Sequence, residues 1–205
     1  MRFLCLLSLL LLQPQLLVHR TLPDPPFSKG REQGCTPRHL DTARSYIGTV
    51  EKTNHNDGPI VEKFLKSVGR KKGDSWCAAF VSYCLHAGRV SYPRIYSGLA
   101  RAFKLKSSFK SKDILIGKYK ILPGTIVVWE KGQTLFGHVG FVEKWNKQSG
   151  ITIEGNTSRD GALVPMGCPV LTSENQSNGD GVYRKRRSIQ LGNYFRITCF
   201  TPVQS

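Results

Sequence analysis

The apolar residues of this chain change period at Pro123-Gly124, and that change restricts the fold more than any other feature. Before it, Ile60, Val61, Phe64, Leu65 and Val68 recur at helical spacing, which predicts a helix over 59–68 with Asp57 as cap and Gly69 as stop. Asp74 or Ser75 is placed to cap a second helix over 76–86, closed by Gly88. A third helix is expected over about 96–105, followed by a basic, poorly patterned stretch to Lys120. After Pro123-Gly124 the texture is that of strands, at 125–129, 138–145 and 151–154, with two more around 181–189 and 193–201. The intervening 156–179, rich in Ser, Asn, Gly and Pro, reads as a long loop. Helices first and strands afterwards predict an α+β domain, with N-terminal helices packed on an antiparallel sheet.

With 205 residues the chain has material for one well-buried core. Residues 1–20 carry a signal-peptide pattern: Arg2, then an apolar run from Phe3 to Leu12 broken only by Ser8, then Gln13-Pro14-Gln15. The run falls short of the about 20 apolar residues that span a membrane. Cys5 stands too early to be a lipid-attachment cysteine. The expectation is export, to a periplasm or beyond, with residues 21–40 as a proline-bearing linker and 41–201 as the folded domain.

Lysine and arginine number 30 against 14 acidic residues, a net charge of +16, which points to an anionic partner such as a wall or membrane surface. The basic residues are dispersed, at Arg70 to Lys72, Lys104 to Lys120 and Arg184 to Arg187, so solvated surface is the competing reading. No basic helix or aromatic-rich RNA motif accompanies them, which argues against nucleic acid. Removing Cys5 with the signal leaves Cys35, Cys77, Cys84, Cys168 and Cys199, an odd number, so at least one thiol stays unpaired. Cys35 and His39 have the form of half a metal site with no second pair at zinc spacing, and no metal or cofactor is expected.

Cys77 falls in the first turn of its helix, where unpaired N–H groups and the helix dipole favour a thiolate. Among Ala78, Ala79, Phe80 and Val81, it is equally a core residue by location. Cys84 lies seven residues on, about 10 Å along the same face, too far to bridge and suited to packing. His138 opens one strand, and Glu154 and Asn156 close the next. If opposed residues of that hairpin have an even sum, His138, Glu154 and Asn156 share a face and Glu143 lies on the other. The shared face is expected to be the one on which the Cys77 helix packs. Nucleophile, base and orienter would then meet.

Asn56-Asp57-Gly58-Pro59, Gly73-Asp74-Ser75-Trp76-Cys77-Ala78-Ala79-Phe80-Val81, Pro123-Gly124, Gly137-His138-Val139-Gly140 and Glu154-Gly155-Asn156, in that order, resemble the CHAP family of cysteine, histidine-dependent amidohydrolases and peptidases. The resemblance implies a papain-like fold, related to NlpC/P60, a bacterial or phage source, and hydrolysis of peptidoglycan amides without a cofactor. It also implies Cys77 as nucleophile, His138 as general base and then acid, Glu154 as orienter and Asn156 as a fourth polar member. Many members have glutamine just before the nucleophile, where this chain has Trp76. Trp76 is carried as a substrate-binding candidate, and the oxyanion donor falls to the backbone N–H of Cys77. Two other readings remain open, a wall-binding module without catalysis and the same chemistry turned on rival cells. The sequons at Asn156 and Asn175 read as accidental, since a glycan on Asn156 would block the site.

Overall fold

A computed structural model describes residues 36–163 and 179–204. The signal segment, most of the linker, Cys5, Cys35, Cys168, the sequon at Asn175 and most of the expected 156–179 loop lie outside the described residues. Within them the helices are α1 (Arg38–Ser45), α2 (Pro59–Ser67), α3 (Cys77–Ala87) and α4 (Ser111–Leu115), with a 3-10 turn at Ala100–Phe103. The strands are β1 (Phe109–Lys110), β2 (Ile126–Lys131), β3 (Gly137–Trp145), β4 (Ser149–Thr157), β5 (Gly181–Ser188) and β6 (Phe195–Thr201). They form one antiparallel sheet in the order β1-β6-β2-β3-β4-β5. The fold is α+β, helices against an antiparallel sheet, as the change of period predicts.

Helix α2 begins at Pro59, whose fixed φ and missing N–H suit a first helical position. Its N-cap is Gly58, and Glu62 reaches back to accept the Gly58 N–H at 3.2 Å. Asp57, expected as the cap, is fully buried and accepts instead from the backbone N–H and hydroxyl of Thr53. Helix α3 likewise starts without a side-chain cap: Trp76 holds that position, and neither Asp74 nor Ser75 does.

Two expectations about helices fail for identifiable reasons. Residues 38–40, assigned to the linker, form the first turn of α1, with His39 and Leu40 fully buried. Pro37 in front of a short, weakly apolar segment hides this helix in the sequence. The helix expected over 96–105 shrinks to the 3-10 turn, because Ser82 binds the Ser97 N–H and donates to the Ser97 carbonyl, and Gly98 follows.

The sheet is covered on both faces. On one, α1, α2 and α3 bring Leu40, Phe64 and Phe80 onto Val139, Phe141 and Ile153. On the other, Phe109, Ile114 and Ile121 pack on Val127, Trp129, Val142 and Phe200. The basic stretch before Lys120 is thus a second cover, which turns Phe109, Ile114 and Leu115 inward and leaves Ile116 exposed. No helix among the described residues is long and apolar enough to cross a membrane.

Candidate active site

The β3–β4 hairpin has the even register: Gly140 stands opposite Glu154 and Val142 opposite Thr152, until a bulge at Glu143 shifts the pairing by one. His138 and Glu154 therefore share a face, and Nε2–H of His138 donates to Oε2 of Glu154 at 3.0 Å. Gly140 lies between them because a Cβ there would stand 2.8 Å from Cγ of Glu154. Glu143 lies on the opposite face, as expected, held by Arg44 of α1 at 2.9 Å and Arg184 of β5 at 2.7 Å.

The face itself is a correction. The helices pack on Val139, Phe141 and Ile153, the reverse of the face that carries His138 and Glu154. Phe80 of α3 comes so close to β4 that a Cβ on Gly155 would lie 2.8 Å from its ring. Cys77 and His138 meet at the end of the sheet, where α3 begins and where His138 is only the second residue of β3. Their side chains are within hydrogen-bonding reach, and with Nε2 taken by Glu154 the sulfur falls to Nδ1. Both line a cleft of about 300 Å³ with Ser75, Asn156, Thr157 and Arg187. Asn156 adopts φ 53°, a left-handed conformation that Asn tolerates better than most residues, and it turns the chain at the cleft wall.

Glu154 is fully buried and receives more than one donor. Arg187 of β5 grips it from Nε to Oε1 at 2.8 Å and from Nη2 to Oε2 at 2.6 Å, and Thr152 donates to Oε1. Burial alone would raise its pKa, but the hydrogen bonds and charges of Arg187 and His138 outweigh burial and hold it well below the usual carboxylate range. For His138 burial works downward, and the bonds and charges of Cys77 and Glu154 overcome it, pushing the imidazole up to about 9. The ring also leans on Trp129, with centroids 5.2 Å apart, and the guanidinium of Arg187 lies over the same indole at 5.7 Å.

Arg187 is the member that sequence reasoning missed. The run Arg184 to Arg187 reads as solvated surface or as a contact for an anionic partner, yet Arg184 pairs with Glu143 and Arg187 with Glu154. Lys185 is buried, with its ammonium on the carbonyls of Ser158 and Asp160. Opposition of Glu154 to Tyr183 puts Arg187 on the Glu154 face four residues along, about 13 Å by strand rise, and the two side chains extend toward each other to close the gap. Only the strand register, which the intervening loop conceals, would have told the four apart.

Trp76 does not meet a substrate. It is fully buried, stacks near Phe64, and donates from Nε1 to Oε1 of Glu51 at 2.8 Å. The other oxygen of Glu51 accepts the Asn56 N–H at 2.8 Å, and Nδ2 of Asn56 donates to the Gly73 carbonyl. These residues tie 51–58 to the approach of α3, so they set where Cys77 begins its helix. Cys84 is wholly buried, and burial drives its thiol well up in pKa. His39, offered with Cys35 as half a metal site, is buried against Phe141 and donates to the Gly124 carbonyl at 2.9 Å.

A thiol at a helix start beside a strand-borne imidazole backed by a buried carboxylate gives this α+β domain the layout of a papain-like protein. Residues 69–156 match the family model of the CHAP domain, which supports membership of the CHAP family. The match spans both Cys77 and the His138–Asn156 hairpin but stops short of Arg187. No curated protein and no solved structure matches the chain. A CHAP domain brings, in general, hydrolase activity of the amidase or peptidase kind toward peptidoglycan.

Proposed function

We propose that the protein is an exported hydrolase that cuts an amide bond of bacterial peptidoglycan through a thioester on Cys77. The observation that carries this reading is the hydrogen-bonded series from Cys77 through His138 and Glu154 to Arg187, opening into one cleft. The sulfur attacks the amide carbonyl, and the oxyanion receives the N–H of Cys77, a first-turn donor without an intrahelical partner. His138 protonates the departing amine as the C–N bond breaks. Water then attacks the thioester, His138 takes a proton from it, and the C–S bond breaks to release a carboxylic acid and restore the site. Glu154 fixes the ring and balances its charge, and Arg187 fixes Glu154.

Turbidity of purified walls tests the reaction. Cys77→Ala should stop clearing while circular dichroism stays unchanged, and Cys84→Ser should keep the rate unless it lowers stability. Wild-type clearing by Cys77→Ala would defeat the reading. Mass spectrometry of fragments from defined peptidoglycan assigns the bond, between sugar and first alanine for an amidase or within the peptides for an endopeptidase. Export is read from the mature N-terminus, expected between about residues 18 and 27; a cytoplasmic chain retaining Met1 would contradict it.

A further inference from the structure

A second cavity, of about 560 Å³, borders strand β6 and takes no part in the reaction above. Its lining holds Lys104, Lys106, Lys110, Lys112 and Arg196 against a single carboxylate, Glu130. That carboxylate is already satisfied by Arg101 at 2.6 Å and Lys104 at 2.8 Å. Lys106, Lys110 and Lys112 form no ion pair among the described residues and are exposed. Three free ammonium groups around one hollow repel one another, so an anion entering the hollow is favoured on charge alone.

The shape and the lining narrow the anion. Among the described residues no aromatic side chain lines the cavity, so none of them would stack a nucleobase there. A concave site of this size admits a discrete chain of phosphates, whereas a flat bilayer surface would reach only its rim. Leu105 and Leu191 offer apolar wall to a short carbon backbone. We propose that this cavity binds a phosphodiester polymer without bases, of the polyol-phosphate class. Phe195 lines the Cys77 cleft while its neighbour Arg196, on the opposite face of the strand, lines this cavity, so β6 contributes to both. On the peptidoglycan reading such an anchor raises the local concentration of wall at Cys77.

Binding is measured on the mature full chain by anisotropy of a labelled poly(glycerol phosphate) oligomer. The triple variant Lys106→Ala, Lys110→Ala, Lys112→Ala should bind about a hundredfold more weakly, at about fivefold for each ammonium lost. Lys52→Ala, Lys66→Ala, Lys71→Ala, which removes the same charge from exposed positions outside the cavity, should stay within about threefold of wild type. Equal losses in the two triples would reduce the effect to net charge and overturn the proposal. Equal or tighter binding to anionic lipid vesicles, or to a single-stranded oligonucleotide, would overturn it in favour of a membrane or a nucleic acid. Cys77→Ala should bind as wild type does, so failure of the catalytic reading and failure of this one are separable.

Discussion

Replacing Glu154 by glutamine keeps its shape and removes the charge that faces His138. The imidazole stands at about 9 against an ordinary 6.5, a rise that corresponds to about 3 kcal/mol in favour of the protonated ring. Burial opposes that rise, so the hydrogen-bond partners of the ring must supply more than the net figure, and Glu154 at 3.0 Å is one of two. An adjacent opposite charge moves a pKa by about 1–3 units. Glu154→Gln should therefore bring His138 down to about 6–8. The profile of kcat/KM against pH, measured on a soluble amide substrate, reports the free enzyme. In the wild type its alkaline limb should fall near pH 9, where His138 loses the proton it gives to the amine, and in the variant it should move to about 7.

The same shift has a stability consequence of fixed sign. A raised histidine contributes fully below about pH 6.5 and loses its contribution as pH rises through about 9. Urea unfolding of the wild type should weaken across that window, and the variant should show a much flatter dependence there. The variant also leaves Arg187 beside an amide in a buried site, at a cost of about 3 kcal/mol or more, so rates are compared at temperatures where both proteins are folded. An alkaline limb still near pH 9 in Glu154→Gln would refute the claim that Glu154 holds the proton on His138.

Arg187→Met preserves volume and removes the grip on Glu154; kcat should fall at least tenfold with KM little changed, and Arg187→Lys should restore only part, since one ammonium cannot repeat the two-pronged contact. Equal activity in Arg187→Met would make that arginine a structural ion pair only. Trp76→Phe strands the buried Glu51 oxygen and should cost about 1–3 kcal/mol in urea unfolding with KM unchanged; a raised KM at constant stability would return Trp76 to the substrate.

Of the fold, the strands are the most legible part: alternation locates five of the six described, and the hairpin register follows from requiring His138 and Glu154 on one side. The pattern is legible because one-residue slips exchange core and solvent faces along the whole strand. Short elements carried too little period to read, as with α1 behind Pro37 and the α4 turn inside the lysine-rich stretch. The face on which the Cys77 helix packs is not legible for a different reason. A nucleophile and a base need to meet only at one point, and the end of a sheet provides that point without their sharing a covered face. Arg187 was invisible because a charged run looks like surface until its partner strand is known, and Gly150, opposite it, leaves no side chain to mark the register.

The buried charges also decide which half of the acid–base cycle His138 starts from. A lone imidazole beside a thiol would rest mostly neutral near pH 7 and would have to take a proton before the sulfur could attack. Here the order along the site is guanidinium, carboxylate, imidazole, sulfur, and the carboxylate has too many donors to yield its charge. With His138 pushed up to about 9, the proton is already on the ring at neutral pH. In the proposed reaction the histidine then enters the first step as an acid, rather than as the base that the family resemblance implies, and acts as a base only when water opens the thioester. Arg187 makes this possible: without its two hydrogen bonds, burial would drive Glu154 toward neutrality, and a neutral carboxyl would no longer hold the ring charged. A residue outside the matched family segment thus sets the protonation of one inside it.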